Sequence, residues 1–130
     1  MASHPEAVEI FQARYFDSVD RGDWRAACAV MSEDVEWSHI SAWKGDDLGF
    51  DHSTPELFRD RAQVESLLSK VVPNIVKAGI RHEIEDLVVE GERGAFLCRA
   101  TSAKKSDVAR FMVWFEVRAG AVTRYLMRPL

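Results

Sequence analysis

The sequence predicts an α+β fold in which helices come first and an antiparallel sheet follows. Three observations carry that reading. Apolar residues recur every three to four positions as far as Val72. Beyond Gly79 the period falls to two. Turn-forming breaks then divide the second half into four alternating runs. At 130 residues, 47% of them hydrophobic, the chain is sized for a single domain, residues 1–130, with a substantial core.

Each element has its own local reason. Pro5 suits a first helical turn, with Ser3 or His4 as cap and Glu6 and Glu9 favourable at its positive end. Val8, Phe11, Tyr15 and Val19 form the apolar stripe of that helix, flanked by Ile10 and Phe16. Gly22 ends it, and Asp23 is placed to cap a second helix carrying Trp24, Ala27, Cys28 and Met31 on one face. Ser32-Glu33-Asp34 reads as the stop, and Val35–Ile40 as a short first strand.

The segment Ser41–Thr54 reads as a loop, long for a compact domain, of the kind that serves as a lid or a partner contact. Pro55–Arg61 reads as a turn of helix leading into a third helix, whose stripe is Val64, Leu67, Leu68, Val71 and Val72; Pro73 is expected to end or kink it. Ile80–Glu90, Ala95–Ala103, Val108–Arg118 and Ala121–Met127 read as the antiparallel strands. In the third of these, Phe111, Val113, Phe115 and Val117 point one way while Met112 and Trp114 point the other. A strand apolar on both faces must be covered on both. The helices of so small a chain cover one face, so the other is expected to meet a second copy through Met112 and Trp114.

Composition narrows the partners. The formal net charge is −4, and Lys104-Lys105 is the one basic cluster outside mixed surface, so an electrostatic footprint for nucleic acid is lacking. No apolar run approaches the roughly 18 residues of a membrane span, and Met1-Ala2-Ser3-His4-Pro5 lacks the layout of a signal peptide. Cys28 and Cys98 sit on apolar stretches and read as reduced, buried thiols of a cytoplasmic protein. Asp46, Asp47, Asp51 and His52 match no calcium or zinc spacing and read as a solvated acidic loop, so no metal is expected. Nucleophile-elbow, phosphate-loop and dinucleotide fingerprints are absent, and no cofactor is expected.

Taken in order, Tyr15, Gly22-Asp23, Asp34-Val35-Glu36-Trp37, the Glu90-Gly91-Glu92-Arg93 turn and the Phe115–Val122 hairpin resemble the NTF2-like superfamily, in its SnoaL-like or ketosteroid-isomerase-like branch. The resemblance spans about residues 6–127. It implies a cone: three N-terminal helices packed on a curved, mostly antiparallel sheet around one apolar pocket, often as back-to-back sheet dimers. One such scaffold hosts many chemistries, so function must be read from the site.

Ketosteroid isomerases pair an aspartate base with a tyrosine and a protonated aspartic acid. By that resemblance the tyrosine falls on Tyr15, the base position on His39 and the acid position on Val113. One element is kept, one changed in kind and one lost, which argues against steroid isomerisation by the same constellation. His39 as a neutral imidazole is expected to accept a proton, and Tyr15 to donate a hydrogen bond to a developing oxyanion. His52, in the loop, and His82, at the start of a strand, each read more readily as a surface residue than as one facing the opening. Limonene-epoxide hydrolases carry an Arg-x-Asp strand motif; the matching strand here is Arg99-Ala100-Thr101, and the later aspartate is missing, which disfavours that hydrolysis. The polyketide cyclases of the family use an acidic pocket residue that has no clear counterpart here.

Alternation and the resemblance together sketch the pocket: Phe96, Cys98, Ala100, Phe111, Val113, Phe115, Tyr125 and Met127 on the sheet side, closed by Tyr15, Trp37 or His39, and Leu67. Such a lining suits a small hydrophobic ligand. The leading expectation is a cofactor-independent isomerase, lyase or cyclase moving a proton beside a carbonyl. Its rivals are a non-catalytic binder of hydrophobic ligands and a dimeric association module.

Overall fold

The computed structural model describes residues 3–43 and 48–130. Of the acidic loop residues, Asp46 and Asp47 lie outside the described residues. The first helix, α1, is one rod in three segments, His4–Val8, Glu9–Phe16 and Asp17–Asp20. Ser3 caps it by accepting from the Glu6 N–H at 3.2 Å. Its middle segment is wound as a π-helix, with the Asp17 N–H bonded to the Gln12 carbonyl five residues back. That wider turn puts both Tyr15 and Phe16 on the buried side and leaves Val8 at the surface, which a plain 3.6-residue stripe does not anticipate.

Helix α2 runs Trp24–Cys28, capped by Asp23 accepting from the Ala26 N–H at 3.0 Å. It stops three residues before Met31, the expected end of its apolar face. The reason is pairing: Val30 accepts from the Val122 N–H at 2.8 Å and Met31 stands opposite Val122, so both are drawn into the sheet. Strand β1 is therefore Met31–His39, opening earlier than Val35. The expected helical turn at Pro55–Arg61 is instead a short edge strand, β2, Glu56–Phe58, because Phe58 packs on Trp37 at 5.7 Å and its backbone pairs with β1. Helix α3, Arg61–Lys77, runs through Pro73 instead of ending there. Burial of Val71, Val72 and Ile75 on either side of the proline holds the rod in place despite the lost backbone bond.

Strands β3 (Ile80–Glu90), β4 (Arg93–Ser102), β5 (Lys105–Arg118) and β6 (Ala121–Pro129) complete a six-stranded sheet in the order β2-β1-β6-β5-β4-β3. Only β1 and β6 run parallel; all other neighbours are antiparallel. Register shifts in β1, at Asp86 in β3 (φ 46°) and in the β5–β6 pair bend the sheet so that it wraps the helices without closing. Gly94 belongs to the same design. A Cβ there would lie 2.6 Å from the Phe115 ring and 2.2 Å from the Val88 carbonyl oxygen, so only glycine lets Phe115 lie flat across β4.

The core lies between the concave face and the helices. Phe11 is its centre, 4.5 Å from the Phe115 ring and 5.2 Å from Phe96. Among the described residues no helix is long and apolar enough to cross a membrane.

Candidate functional site

One recess lies between α1, α3 and the β1–β6–β5–β4–β3 part of the sheet, closed over by residues of the loop after β1. Tyr15, Trp37, His39, Ala100, Phe111, Tyr125 and Met127 line it, joined by Phe16, Leu68, His82 and the loop residues Trp43, Leu48 and Phe50. The enclosed space is about 40 Å³, within about 560 Å³ once the open mouth is counted. The enclosed part holds a few waters, well short of the roughly 300 Å³ of a small-molecule site, so a ligand requires Trp43, Leu48 and Phe50 to move outward.

Of the residues expected to form the pocket, Phe96, Cys98, Val113 and Phe115 lie deeper, in the packed core below the cavity floor. Leu67 is only partly buried, and its neighbour Leu68 faces the cavity. The reason is the sheet's curvature: the same face of β4 and β5 that meets the cavity at Ala100 and Phe111 is covered by Phe11 further along. His52 is exposed, on the outer side of the loop.

Trp37 and His39, two residues apart on β1, project from one face and stack with rings 4.9 Å apart and 5° from parallel. Trp37 in turn stacks on Tyr125 at 5.6 Å and 9°, and Phe50 covers the other face of His39 at 4.0 Å. Burial first, then the neighbouring His82 and Arg128, push the His39 pKa down to about 3. His39 is thus a neutral imidazole at every physiological pH, half-buried with part of its ring open to the cavity.

Burial and the nearby Cys28 thiol push the Tyr15 hydroxyl well above its ordinary value, so it stays protonated. The Tyr125 ring lies 5.5 Å from that of Tyr15, and burial pushes its hydroxyl up as well, so both phenols stay protonated at the cavity. Among the described residues Trp37 Nε1, His39 Nδ1 and Trp43 Nε1 are buried with no partner.

The most developed polar feature joins residues 62 apart in sequence. Asp20, in the last turn of α1, bonds His82 twice: Oδ2 accepts from the backbone N–H at 2.7 Å, and Oδ1 lies 2.6 Å from Nδ1. Gln12 secures the same stretch of β3, donating to the His82 carbonyl at 2.9 Å and accepting from the Ile84 N–H at 2.8 Å. The imidazole stacks on Phe16 at 4.8 Å and 17°. A carboxylate at Nδ1 favours the tautomer with its N–H there, which leaves Nε2 of this cavity-lining ring as the acceptor. The sequence does carry one signal for this pair. An aspartate in the last turn opposes the helix dipole, so Asp20 stands where it weakens the helix unless a partner compensates.

The SnoaL-like domain profile matches residues 13–125, and the chain belongs to that family. Its fold is NTF2-like. A candidate ketosteroid isomerase from Kribbella flavida superposes with TM-score 0.68 at 17% identity, over 97% of this chain and 78% of that one. An NTF2-like protein of unknown function from Mesorhizobium loti gives 0.68 at 16%, over 100% and 95%. An LEH-like epoxide hydrolase from M. tuberculosis gives 0.64 at 14%, over 97% and 84%. At such identities the likeness establishes the fold alone. No curated protein matches the sequence.

Proposed function

We propose that this protein is a cofactor-independent enzyme that moves a proton at a carbon beside a carbonyl, in a small, largely apolar cyclic substrate. The observation that carries the reading is the Asp20–His82 pair opening on an aromatic cavity. His82 Nε2 takes the proton from carbon, and the imidazolium formed is stabilised by the Asp20 carboxylate at Nδ1. The electrons of the broken C–H bond move onto the carbonyl oxygen, which accepts the Tyr15 hydrogen bond. Returning the proton from His82 to another carbon makes an isomerase; attack of the enolate carbon on a second carbonyl of the substrate, with the proton passing to the new alkoxide, makes a cyclase; and breaking the bond to a leaving group that takes the proton makes a lyase.

His39 was the base suggested by sequence position. Its low proton affinity in the free protein fits a neutral partner of the Tyr15 end better than a base, so the proton-accepting role passes to His82. The Trp37–Tyr125 stack offers a flat wall to an unsaturated ring. Buried, unpaired Cys28 and Cys98 fit a cytoplasmic, reducing setting.

The small enclosed volume favours a second reading, a module whose cavity is filled by its own side chains. A thermal-shift screen of cyclic ketones, enones and epoxides separates the two. Stabilisation of the wild type by a member of the panel, with turnover lost in His82→Gln, supports the enzyme; stabilisation without turnover supports a binder, and no response supports the module.

A second copy is the proposed partner at the convex face. Val88, Ala95, Trp114 and Leu126 form one cross-strand row and Leu97 and Met112 start the next. Val88 is 66% exposed and Met112 41%. Charged pairs flank the apolar rows on both sides, Arg110 with Glu85 at 3.6 Å and Arg124 with Glu36 at 3.2 Å, the arrangement of an interface core with a polar rim.

A further inference from the structure

His39 ends β1 and Glu56 begins β2, and the two stand directly opposite each other in the antiparallel ladder. Directly opposed residues share a face of the sheet, with Cβ atoms about 5 Å apart. That face is the inner one, since the next pair along is Trp37 and Phe58, whose rings meet at 5.7 Å. Both members of the His39–Glu56 pair hold a polar atom buried with no partner among the described residues: Nδ1 of His39 and Oε2 of Glu56. A buried carboxylate oxygen and a buried imidazole nitrogen, each unsatisfied, thus belong to residues paired across the same face of the sheet. The pair also sits at the two roots of the loop that carries Trp43, Leu48 and Phe50 over the cavity.

We infer that Glu56 is a positioning residue for His39. Its carboxylate accepts the Nδ1–H, which fixes the tautomer and turns the Nε2 lone pair toward the cavity. The cavity is then flanked by two carboxylate-held histidines, Asp20–His82 from the helix side and Glu56–His39 from the sheet edge. The contact also ties the roots of the covering loop together. The other groups acting on His39 oppose its protonation: His82 on β3 and Arg128 on β6. Tyr15 and Tyr125 stay neutral beside it. Glu56, opposite His39 in the ladder, is the acidic residue placed to favour a proton on this ring once the bond forms.

The assignment takes the cavity as the functional site proposed above, but its readout is the histidine itself and needs no substrate. Long-range ¹H–¹⁵N correlation spectra of the full chain, assigned with His39→Gln, report which ring nitrogen of His39 carries the proton and how it titrates. The expected result is the Nδ1–H tautomer in the wild type, with proton affinity about tenfold lower in the near-isosteric Glu56→Gln and a mixed tautomer in Glu56→Leu. An Nε2–H tautomer in the wild type, or superimposable titrations in wild type and Glu56→Gln, overturns it. The wild-type tautomer decides even where Glu56→Leu does not fold. An intact His39–Glu56 coupling in a protein whose His82→Gln variant loses no activity would reject the proposed reaction and leave this assignment standing.

Discussion

His82 Nδ1 lies 2.6 Å from Asp20 Oδ1, and this contact fastens the end of the first helix to the inner face of the sheet. It gives Asp20, poorly placed for its own helix, a partner, and it gives His82 a defined tautomer at the cavity wall. In the proposed reaction, chemistry and architecture thus share one hydrogen bond.

Asp20→Asn tests both roles. The amide keeps the size of the side chain but removes the charge that orients and stabilises the imidazolium. Turnover is expected to fall about 10²–10⁴-fold, with a stability loss of about 1–3 kcal/mol from the broken buried pair. Steady-state kinetics alongside urea unfolding separates the two. Unchanged kcat with reduced stability assigns the pair a structural role alone.

His39 makes the fold sensitive to acid. Its pKa falls from 6.5 in the ordinary case to about 3 here, so the native state binds a proton later than the unfolded chain does. The stability that comes from keeping it neutral is complete above pH 6.5 and is lost as the pH falls toward 3. The slope is at most about 1.4 kcal/mol per pH unit, less for the part of the ring that is accessible. Melting curves between pH 7 and 4 are expected to fall less steeply in His39→Gln than in the wild type. Parallel curves would show that His39 protonates as easily in the folded protein as in the unfolded chain.

Much of this was legible in the sequence because the signals are local. The change of period at Gly79 marks the passage from helices to sheet, and Ile80–Glu90 is a strand with those bounds. The caps at Ser3 and Asp23 form as their side chains predict. What escaped depends on contacts between distant residues. The β2 edge strand follows from the packing of Phe58 on Trp37, which outweighs local propensity, and the π-wound middle of α1 goes with the burial of both Tyr15 and Phe16. Tyr15 and His39, expected as site residues from their position, both line one cavity. Asp20 was missed because its partner lies 62 residues away, and His82, though noted, had nothing in its own strand to single it out. Phe96, Cys98, Val113 and Phe115 have the right alternation for a pocket wall, yet curvature places them beneath Phe11; alternation gives the face of a strand and not the depth along it.

The convex face is testable without a substrate. Trp114→Asp places a charge in the middle of the apolar row between Ala95 and Leu126. Sedimentation of the wild type at micromolar concentration is expected to give a dimer and the variant a monomer of unchanged circular dichroism. A monomeric wild type removes the dimer from the account.

The central claim is that His82 takes a proton from carbon. The direct measurement is solvent deuterium exchange into the carbons beside the carbonyl of the best-stabilising cyclic ketone or enone, followed by NMR with the wild type and with His82→Gln. The account predicts exchange in the wild type, with the rate lowered about 10²–10⁴-fold in the variant. Exchange equal in the two proteins, for a ligand that both bind, would contradict it.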